Sequence, residues 1–302
     1  MATHESEFDP RNAEVMVYVD GVLLPRAEAK VSVYDSGFML GDGMWEGLRL
    51  HEGRWLFFEE HMERFFGSCR AVGLDAGVDR AGVLEALNMT AAANGMRTDA
   101  HCRLMLTRGV KERPFQRPSL SRSGPTFVII MEHARLSGAV AGVRLATVSQ
   151  VRGLPTSQDA KYNSHSKLNC VLACLQAEAA GADEALMLDP HGFANTTNSC
   201  NFFIVRGGEV WTSTGDYCMN GVTRAKVLEL CRGAGIPARE KNFSLYEVYS
   251  ACEVFLSGTY GGLASVLEVD GKPVGDGVYP VTERLRGLYA DLIEGYVSGD
   301  GG

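Results

Sequence analysis

The chain of 302 residues is long enough for two domains of ordinary size, each with its own hydrophobic core. Its composition, 45% hydrophobic and 22% charged, is typical of a soluble globular protein. The formal net charge of −8 argues against nucleic acid or an anionic membrane as the main partner, which leaves small molecules and other proteins.

Eight cysteines are scattered along the chain, and none forms a CxxC motif or a Cys/His cluster with zinc spacing. This pattern predicts free thiols in a reducing compartment and no metal site. The polar, acidic N-terminal stretch lacks the apolar core of a signal peptide, and no apolar run approaches the length of a membrane span. We therefore expect a cytoplasmic protein.

The first half of the chain is predicted to form an α+β domain with an antiparallel sheet, spanning residues 1–135. Two short strands flank Asp20-Gly21, which is a strong hairpin signal. The segment EEHMERFFGSCRAVGL then takes a helical period that places Met62 and Phe65 on one face. Taken alone, HMER in this helix indicates an exposed charged turn. A second helical segment and two strands, HCRLMLTRG and TFVIIMEHA, complete the domain.

Small residues near 136–142 predict a linker, and the second domain is assigned to residues 143–302. This domain opens with a predicted strand over residues 143–151. The apolar residues of the next long segment recur at helical spacing: Leu168, Val171, Leu172, Leu175 and Ala179. That spacing predicts a helix packed on a core, with Lys161 just before it.

Lys161 is the residue that we expect to carry the chemistry. A lysine becomes a nucleophile only when its neutral amine is populated and held in place. The position just before a packed helix would fix the backbone of Lys161 and direct its amine into a cleft. A solvated surface lysine is the common alternative. Lys167 is a competitor, but it falls at the start of the helix, where a surface role is ordinary.

Two glycine-containing turns in the second half are suited to hold an anion. NGVTR places backbone N–H groups and the Thr223 hydroxyl at the start of a helix. SGTYGG, at the end of an apolar strand, offers Thr259 and closely approachable backbone amides. A lysine combined with a phosphate cradle is what pyridoxal phosphate requires.

With these motifs in this order, the sequence resembles the class IV (fold-type IV) pyridoxal-phosphate aminotransferases, which include branched-chain and D-amino-acid aminotransferases and aminodeoxychorismate lyase. The resemblance runs from about Val17 to about Val274. It is carried by GDGMWEGLR, EEHMERFFGSC, RLMLTRG, GADEALMLD, GFANTTNSCNFFIV, MNGVTRAKVLELC and EVFLSGTYGG. It implies a two-domain α+β fold whose larger second domain has a β-barrel-like core, a homodimer, and pyridoxal 5'-phosphate as the cofactor.

The resemblance also implies roles for individual residues. Lys161 would form the Schiff base with the cofactor. The residues implied in cofactor binding are Arg64, Thr196, Gly221, Val222, Thr223 and Thr259. The residues implied near the substrate are Trp45, Gly47, Arg49, Arg103, Tyr260 and Gly261.

The implied reaction moves an amino group from an amino acid, of branched-chain type, or from an amine to a 2-oxo acid, with Lys161 shuttling a proton. WEGLR and RLMLTRG resemble the branched-chain enzymes, whereas GDG and TRG also occur in the D-amino-acid enzymes. The alternatives are a D-amino-acid or (R)-amine transaminase, a pyridoxal-phosphate-dependent lyase, and a non-catalytic homologue that binds the cofactor.

The sequence departs from the family pattern at two positions. Thr196 stands where family members place a glutamate that pairs with the pyridine nitrogen of the cofactor, so only a neutral hydrogen bond is expected there. A tyrosine is also expected a few residues after the lysine, near the phenolic oxygen of the cofactor. The segment YNSHSK offers Tyr162, His165 or Ser166 in its place, and the sequence does not select one of them.

Overall fold

The computed structural model describes residues 9–134 and 142–299, which fall into two compact units. The first unit comprises residues 9–134 together with Tyr162–Lys167, and the second unit comprises residues 142–161 and 168–299. Most of the predicted linker, residues 136–141, lies outside the described residues, so the predicted domain boundaries stay predictions.

The first unit is a six-stranded antiparallel sheet, in the order β2-β1-β6-β5-β3-β4, with helices packed against it. Its strands are β1 (Met16–Val19), β2 (Val22–Pro25), β3 (Gly43–His51), β4 (Arg54–Trp55), β5 (Ala100–Thr107) and β6 (Thr126–His133). Its helices are α1 (Ser36–Leu40), α2 (Phe58–Ala71) and α3 (Arg80–Ala93).

Two local predictions for the first unit are confirmed. The β1–β2 hairpin turns at Asp20 and Gly21, whose φ angles of 47° and 92° match the twist of the flanking strands. The predicted apolar face of α2 is buried, with Met62 and Phe65 at 0% and 1% exposure in the core between helix and sheet. Both features depend on residues close together in the chain.

The second unit is built on a nine-stranded sheet with five helices among its described residues. Its strands are β7 (Val143–Thr147), β8 (Glu184–Leu188), β9 (Ala194–Thr197), β10 (Asn201–Arg206), β11 (Glu209–Thr212), β12 (Ala238–Glu240), β13 (Glu253–Gly258), β14 (Gly262–Val269) and β15 (Lys272–Pro273). Its helices are α4 (Pro155–Gln158), α5 (Leu168–Ala179), α6 (Val222–Gly233), α7 (Leu245–Tyr249) and α8 (Pro280–Ser298). The first strand is shorter than predicted and ends at Thr147.

Six of these strands close into a barrel, in the order β10-β13-β14-β7-β8-β9. β7 runs parallel to β8 and β14, and the other neighbours in the ring are antiparallel. The ring is closed by the pairing of Thr196 on β9 with Asn201 on β10. The structure thus confirms the predicted α+β class and the β-barrel-like core. No helix among the described residues combines the length and apolarity needed to cross a membrane.

The predicted orientation of α5 is wrong. Ala173 and Ala177, at 0% and 1% exposure, pack against β7 and β8, because their small side chains let the helix approach the sheet closely. The larger apolar residues that were expected in the core are 39% to 70% exposed: Leu168, Val171, Leu172 and Leu175. Ala179 is exposed as well. The alanine spacing, and not the leucine stripe, therefore sets the buried face.

Candidate active site

The start of α6 carries the first predicted anion-binding motif. Gly221 is the N-cap of this 12-residue helix, and Val222 and Thr223 form its first turn, both buried. A Cβ atom on Gly221 would lie 2.3 Å from Oδ1 of Asn201, so a larger residue there would displace the Asn201 side chain. Backbone N–H groups at a helix N-terminus have no intrahelical partner and bind anions well.

Three polar residues, Thr196, Asn201 and Ser257, form a row across the barrel, which we call the barrel row. Asn201 pairs directly with Thr196 on one side and with Ser257 on the other. Directly paired residues project from the same face of a sheet, so these side chains are lateral neighbours. Asn201 also donates from Nδ2 to the Met219 carbonyl at 3.0 Å, and its contact with Gly221 links the row to the start of α6.

The hydroxyl of Ser257 is buried and has no hydrogen-bond partner among the described residues. Leaving a buried polar group unsatisfied costs about 1–3 kcal/mol. The Ser257 hydroxyl lies in the barrel row, which leads to the N-terminus of α6. Its missing hydrogen-bond partner therefore indicates that a polar ligand binds there.

The β13–β14 turn begins at Thr259, two residues after Ser257, and contains the second predicted motif. Thr259, Tyr260 and Gly261 are half-buried in this turn. Gly262 then begins β14 with a φ of 62°, a conformation that favours glycine and lets the two strands pair closely. The turn therefore places three predicted residues next to one end of the barrel row.

Arg152 extends the barrel row beyond Thr196. Its Nε donates to Oγ1 of Thr196 at 2.6 Å, its Nη2 donates to the Thr197 carbonyl, and its Nη1 lies 3.5 Å from Sγ of Cys170. No carboxylate among the described residues pairs with this guanidinium. Arg152 was not predicted from the sequence, because it lies 44 positions before Thr196 in a turn-rich segment with no motif around it.

Lys161 lies in a turn and is the last residue of the segment 142–161 of the second unit. Its side chain is exposed. Its backbone N–H donates to Oδ1 of Asp159 at 3.0 Å, which fixes the turn. The chain then enters the first unit at Tyr162, and the next residue, Asn163, is 3% exposed. The carbonyl of Asn163 accepts from the Trp45 backbone N–H at 2.9 Å, but its buried side-chain oxygen has no partner among the described residues.

The three residues considered near the phenolic oxygen, Tyr162, His165 and Ser166, all lie in the first unit. The backbone N–H of His165 donates to the Gly43 carbonyl at 2.9 Å. Burial lowers the pKa of His165, and its Nε2 is a buried atom without a partner among the described residues. A contact of one of these residues with the phenolic oxygen of a cofactor stays a prediction.

The first unit contains a buried ionic cluster around Glu46, a residue for which the sequence predicted no role. Arg64 donates from Nε and Nη2 to the two carboxylate oxygens at 2.8 and 2.7 Å, and Nδ1 of His61 lies 2.8 Å from Oε2. Glu46 is fully buried, which raises its pKa, but the charge and hydrogen bonds of Arg64 and His61 prevail and lower that pKa to about 2. Of HMER, only Glu63 is exposed, whereas His61 and Arg64 belong to the buried ionic cluster. The role of Arg64 at a phosphate stays a prediction.

The predicted substrate residues of the first unit occupy two different environments. The guanidinium of Arg103 lies 4.2 Å from the centre of the Trp45 ring, and Nζ of Lys167 lies 5.8 Å from the same ring. The Trp45 indole N–H donates to the Ser164 carbonyl at 3.2 Å. Arg49 is 2% exposed and donates from Nη2 to the Ala134 carbonyl at 2.8 Å. Trp45 and Arg103 are thus brought together, whereas Arg49 is engaged in the interior.

In the described part of the chain, no group of three or more His, Cys, Asp and Glu side chains is placed to hold a metal ion. The polar features that converge are hydroxyl, amide and guanidinium groups and a helix N-terminus. This donor set suits an organic anion.

Residues 43–269 match the family model for amino-transferase class IV, which covers most of the chain. The chain therefore belongs to the class IV aminotransferase family. A D-alanine aminotransferase from Staphylococcus aureus (strain COL) is 30% identical, over 93% of this chain and 98% of that protein.

Two further relatives have names that refer to branched-chain amino acids. Branched-chain-amino-acid aminotransferase-like protein 1 of Arabidopsis thaliana is 39% identical over 94% of this chain, but this chain spans only 52% of its length. The crystal structure of the T.th. branched-chain amino acid aminotransferase complexed with N-(5'-phosphopyridoxyl)-L-glutamate superposes with a TM-score of 0.87 at 26% identity. That superposition covers 93% of this chain and 95% of the other, and it confirms the predicted fold-type IV architecture.

Proposed function

We propose that the protein binds pyridoxal 5'-phosphate in its second unit and transfers an amino group from an amino acid or amine to a 2-oxo acid. The observation that supports this function best is the barrel row, with its unpartnered Ser257 hydroxyl, leading to the start of α6. Membership of the class IV aminotransferase family adds a second, independent argument.

The residues of the second unit fit the two ends of this cofactor. The first turn of α6, with Val222 and the Thr223 hydroxyl, would hold the phosphate, helped by the dipole of the 12-residue helix. Thr196 at the other end of the barrel row would face the ring nitrogen, and Thr259 would lie beside the phosphate. When bound, the cofactor supplies an aldehyde carbon and an electron-accepting ring.

Lys161 is our proposed site of covalent attachment. Its competitor Lys167 is half-buried, with its amine 5.8 Å from the centre of the Trp45 ring. An aromatic face stabilises the charged ammonium, which opposes the neutral form that a nucleophile needs. The exposed Lys161 has no such contact with an aromatic ring among the described residues and is held at a hydrogen-bonded turn.

Reduction with borohydride tests the attachment. The protein is loaded with pyridoxal phosphate, reduced and digested, and the modified peptide is identified by mass spectrometry. We expect the label on Lys161 in the wild type and in Lys167→Ala, and no label in Lys161→Ala. A label that stays in Lys161→Ala would contradict the assignment.

A second candidate function is a homologue that binds the cofactor without covalent attachment. It is favoured by the exposure of the Lys161 side chain, since no buried environment holds its amine in place. In this case the reduced wild type carries no label although the cofactor copurifies.

The amino donor is proposed to be a branched-chain amino acid. The names of the Arabidopsis and T.th. relatives support this class, whereas the Staphylococcus relative is named for D-alanine. Spectra of the loaded protein with L-leucine, L-valine, D-alanine and an (R)-amine separate the possibilities. Bleaching by L-leucine is the expected result. Bleaching by D-alanine or the (R)-amine alone would select the D-amino-acid or (R)-amine alternative, and release of ammonia would select a lyase.

We also propose a cytoplasmic homodimer. All eight cysteines lie in the described residues and are free thiols, which suits a reducing compartment. The exposed stripe of α5 gives a dimer an apolar surface to bury, since Val171 and Leu175 are 51% and 55% exposed. Light scattering should give twice the chain mass of 32.7 kDa for the wild type and a single chain for Leu175→Glu. A dimeric Leu175→Glu would place the interface elsewhere.

A further inference from the structure

We infer that Arg152 and Thr196 together hold the ring nitrogen of the bound cofactor in its unprotonated form. This inference rests on the proposed function, because it concerns how the second unit treats that cofactor. It assigns to Arg152 a positioning role that acts through Thr196.

The hydrogen bonds of Thr196 define which groups it offers to a ligand. A threonine hydroxyl has one hydrogen to donate and two lone pairs, whereas a guanidinium only donates and stays charged. Nε of Arg152 occupies one lone pair of the Thr196 oxygen at 2.6 Å. Thr196 is 3% exposed, so water is not the main acceptor for its hydrogen. An unprotonated pyridine nitrogen is an acceptor of the kind that this hydroxyl needs.

The charge of Arg152 decides between the two forms of the ring nitrogen. The second lone pair of Thr196 would also accept from a protonated nitrogen, so hydrogen-bond geometry alone permits both forms. Two like charges about 5 Å apart at an effective dielectric constant of about 20 disfavour the second charge by roughly 300-fold. The other partners of Arg152 are a carbonyl and a thiol, neither of which neutralises the guanidinium. The unprotonated form is therefore favoured.

The consequence is a ring that accepts electrons less readily. Protonation of the ring nitrogen strengthens the cofactor as an acceptor for the electron pair that remains when a substrate C–H bond breaks. Because the charge of Arg152 disfavours protonation of the ring nitrogen, the cofactor is a weaker electron acceptor in this protein. We therefore expect slow breaking of the substrate C–H bond.

Nitrogen-15 NMR of pyridoxal phosphate labelled at the ring nitrogen tests the inference without measuring activity. We expect the wild type to show the shift of an unprotonated nitrogen from pH 6 to pH 8. Thr196→Glu, which sets a carboxylate beside Arg152, should show the protonated shift, and Thr196→Gln should not. A protonated nitrogen in the wild type would overturn the inference alone, whereas failure of the wild type to bind the cofactor would overturn the proposed function with it.

Binding of a cofactor analogue with carbon in place of the ring nitrogen provides the second measurement. The analogue cannot accept the hydrogen of Thr196, so the wild type should bind it about tenfold more weakly than pyridoxal phosphate. Thr196→Ser keeps the hydroxyl and should keep this preference. Thr196→Val removes the hydroxyl with little change of shape and should lose it. Equal preference in the Thr196→Ser and Thr196→Val variants would contradict the hydrogen bond from Thr196 to the ring nitrogen.

Discussion

Arg64 and Arg152 are both at least half-buried, but the protein neutralises only one of them. Arg64 in the first unit makes a two-point contact with the fully buried carboxylate of Glu46. Arg152 in the second unit contacts a hydroxyl, a carbonyl and a thiol. The first arrangement uses the charge to hold the fold together, whereas the second leaves a net positive charge beside a buried threonine.

The difference shows how a buried cation is used in each unit. A guanidinium paired with a carboxylate is stable because each group compensates the desolvation of the other, and removing either one is costly. A guanidinium with neutral partners keeps its long-range field, which acts on any ligand nearby.

Glu46→Gln should have the largest effect. The substitution leaves Arg64 and His61 in the interior without a carboxylate, and we expect it to lower the free energy of unfolding by about 3–5 kcal/mol. Urea denaturation measures the loss. Glu63→Gln is the matched control, because Glu63 contacts Arg80 at the surface and its replacement should leave the midpoint almost unchanged. Equal midpoints for the two variants would refute the role of the Glu46 cluster.

The same cluster should make stability depend on pH in the acid range. The pKa of Glu46 is lowered in the folded state from its ordinary value of 4.5 to about 2, so the folded state binds this proton more weakly than the unfolded state. The resulting stabilisation, roughly 3 kcal/mol, is present above pH 5 and is lost as the pH falls towards 2. Unfolding free energies of the wild type and Glu46→Gln should converge over this range. Parallel curves would contradict the assigned pKa.

The two faces of α5 should respond differently to substitution. Ala177→Leu adds volume where the helix touches the sheet and should destabilise the second unit by about 1–3 kcal/mol. Leu172→Ala, on the exposed stripe, should change stability by less than about 0.5 kcal/mol in the isolated chain. Thermal unfolding at low protein concentration compares the two. A larger loss for Leu172→Ala would restore the orientation first predicted from the sequence.

Thr196→Glu gives Arg152 the carboxylate partner that Arg64 already has. We expect faster reaction of the loaded protein with its amino donor, by about tenfold or 1.4 kcal/mol, because the ring nitrogen can then hold a proton. Rapid-mixing absorption spectroscopy measures the rate. Thr196→Gln controls for side-chain size and should show no gain. Unchanged or lower turnover in Thr196→Glu would count against this account of position 196.

The features that could be predicted from the sequence are those whose causes are local. The hairpin needs only Asp20-Gly21 and its flanking strands, and the start of α6 needs only NGVTR. The motifs that carry the family resemblance are likewise short segments of both units. Each of these signals depends on residues within a few positions of one another.

The features that escaped prediction depend on contacts between distant residues. Arg152 meets Thr196 across 44 positions, and Arg64 meets Glu46 across 18. The orientation of α5 failed for a related reason. Helical spacing reveals an apolar stripe, but it does not say whether the surface that covers the stripe belongs to the same chain. Only the packing of Ala173 and Ala177 on the sheet settled which face is inside.

The most direct test of the central claim is a titration of the purified protein with pyridoxal phosphate, followed by absorption spectroscopy. We predict saturable binding of one cofactor per chain, weakened about tenfold or more in Thr223→Val, which removes one hydroxyl from the first turn of α6. Thr214→Val, in a loop, is the control and should bind like the wild type. No saturable binding, or equal affinity in all three proteins, would contradict a cofactor site at the barrel row and α6.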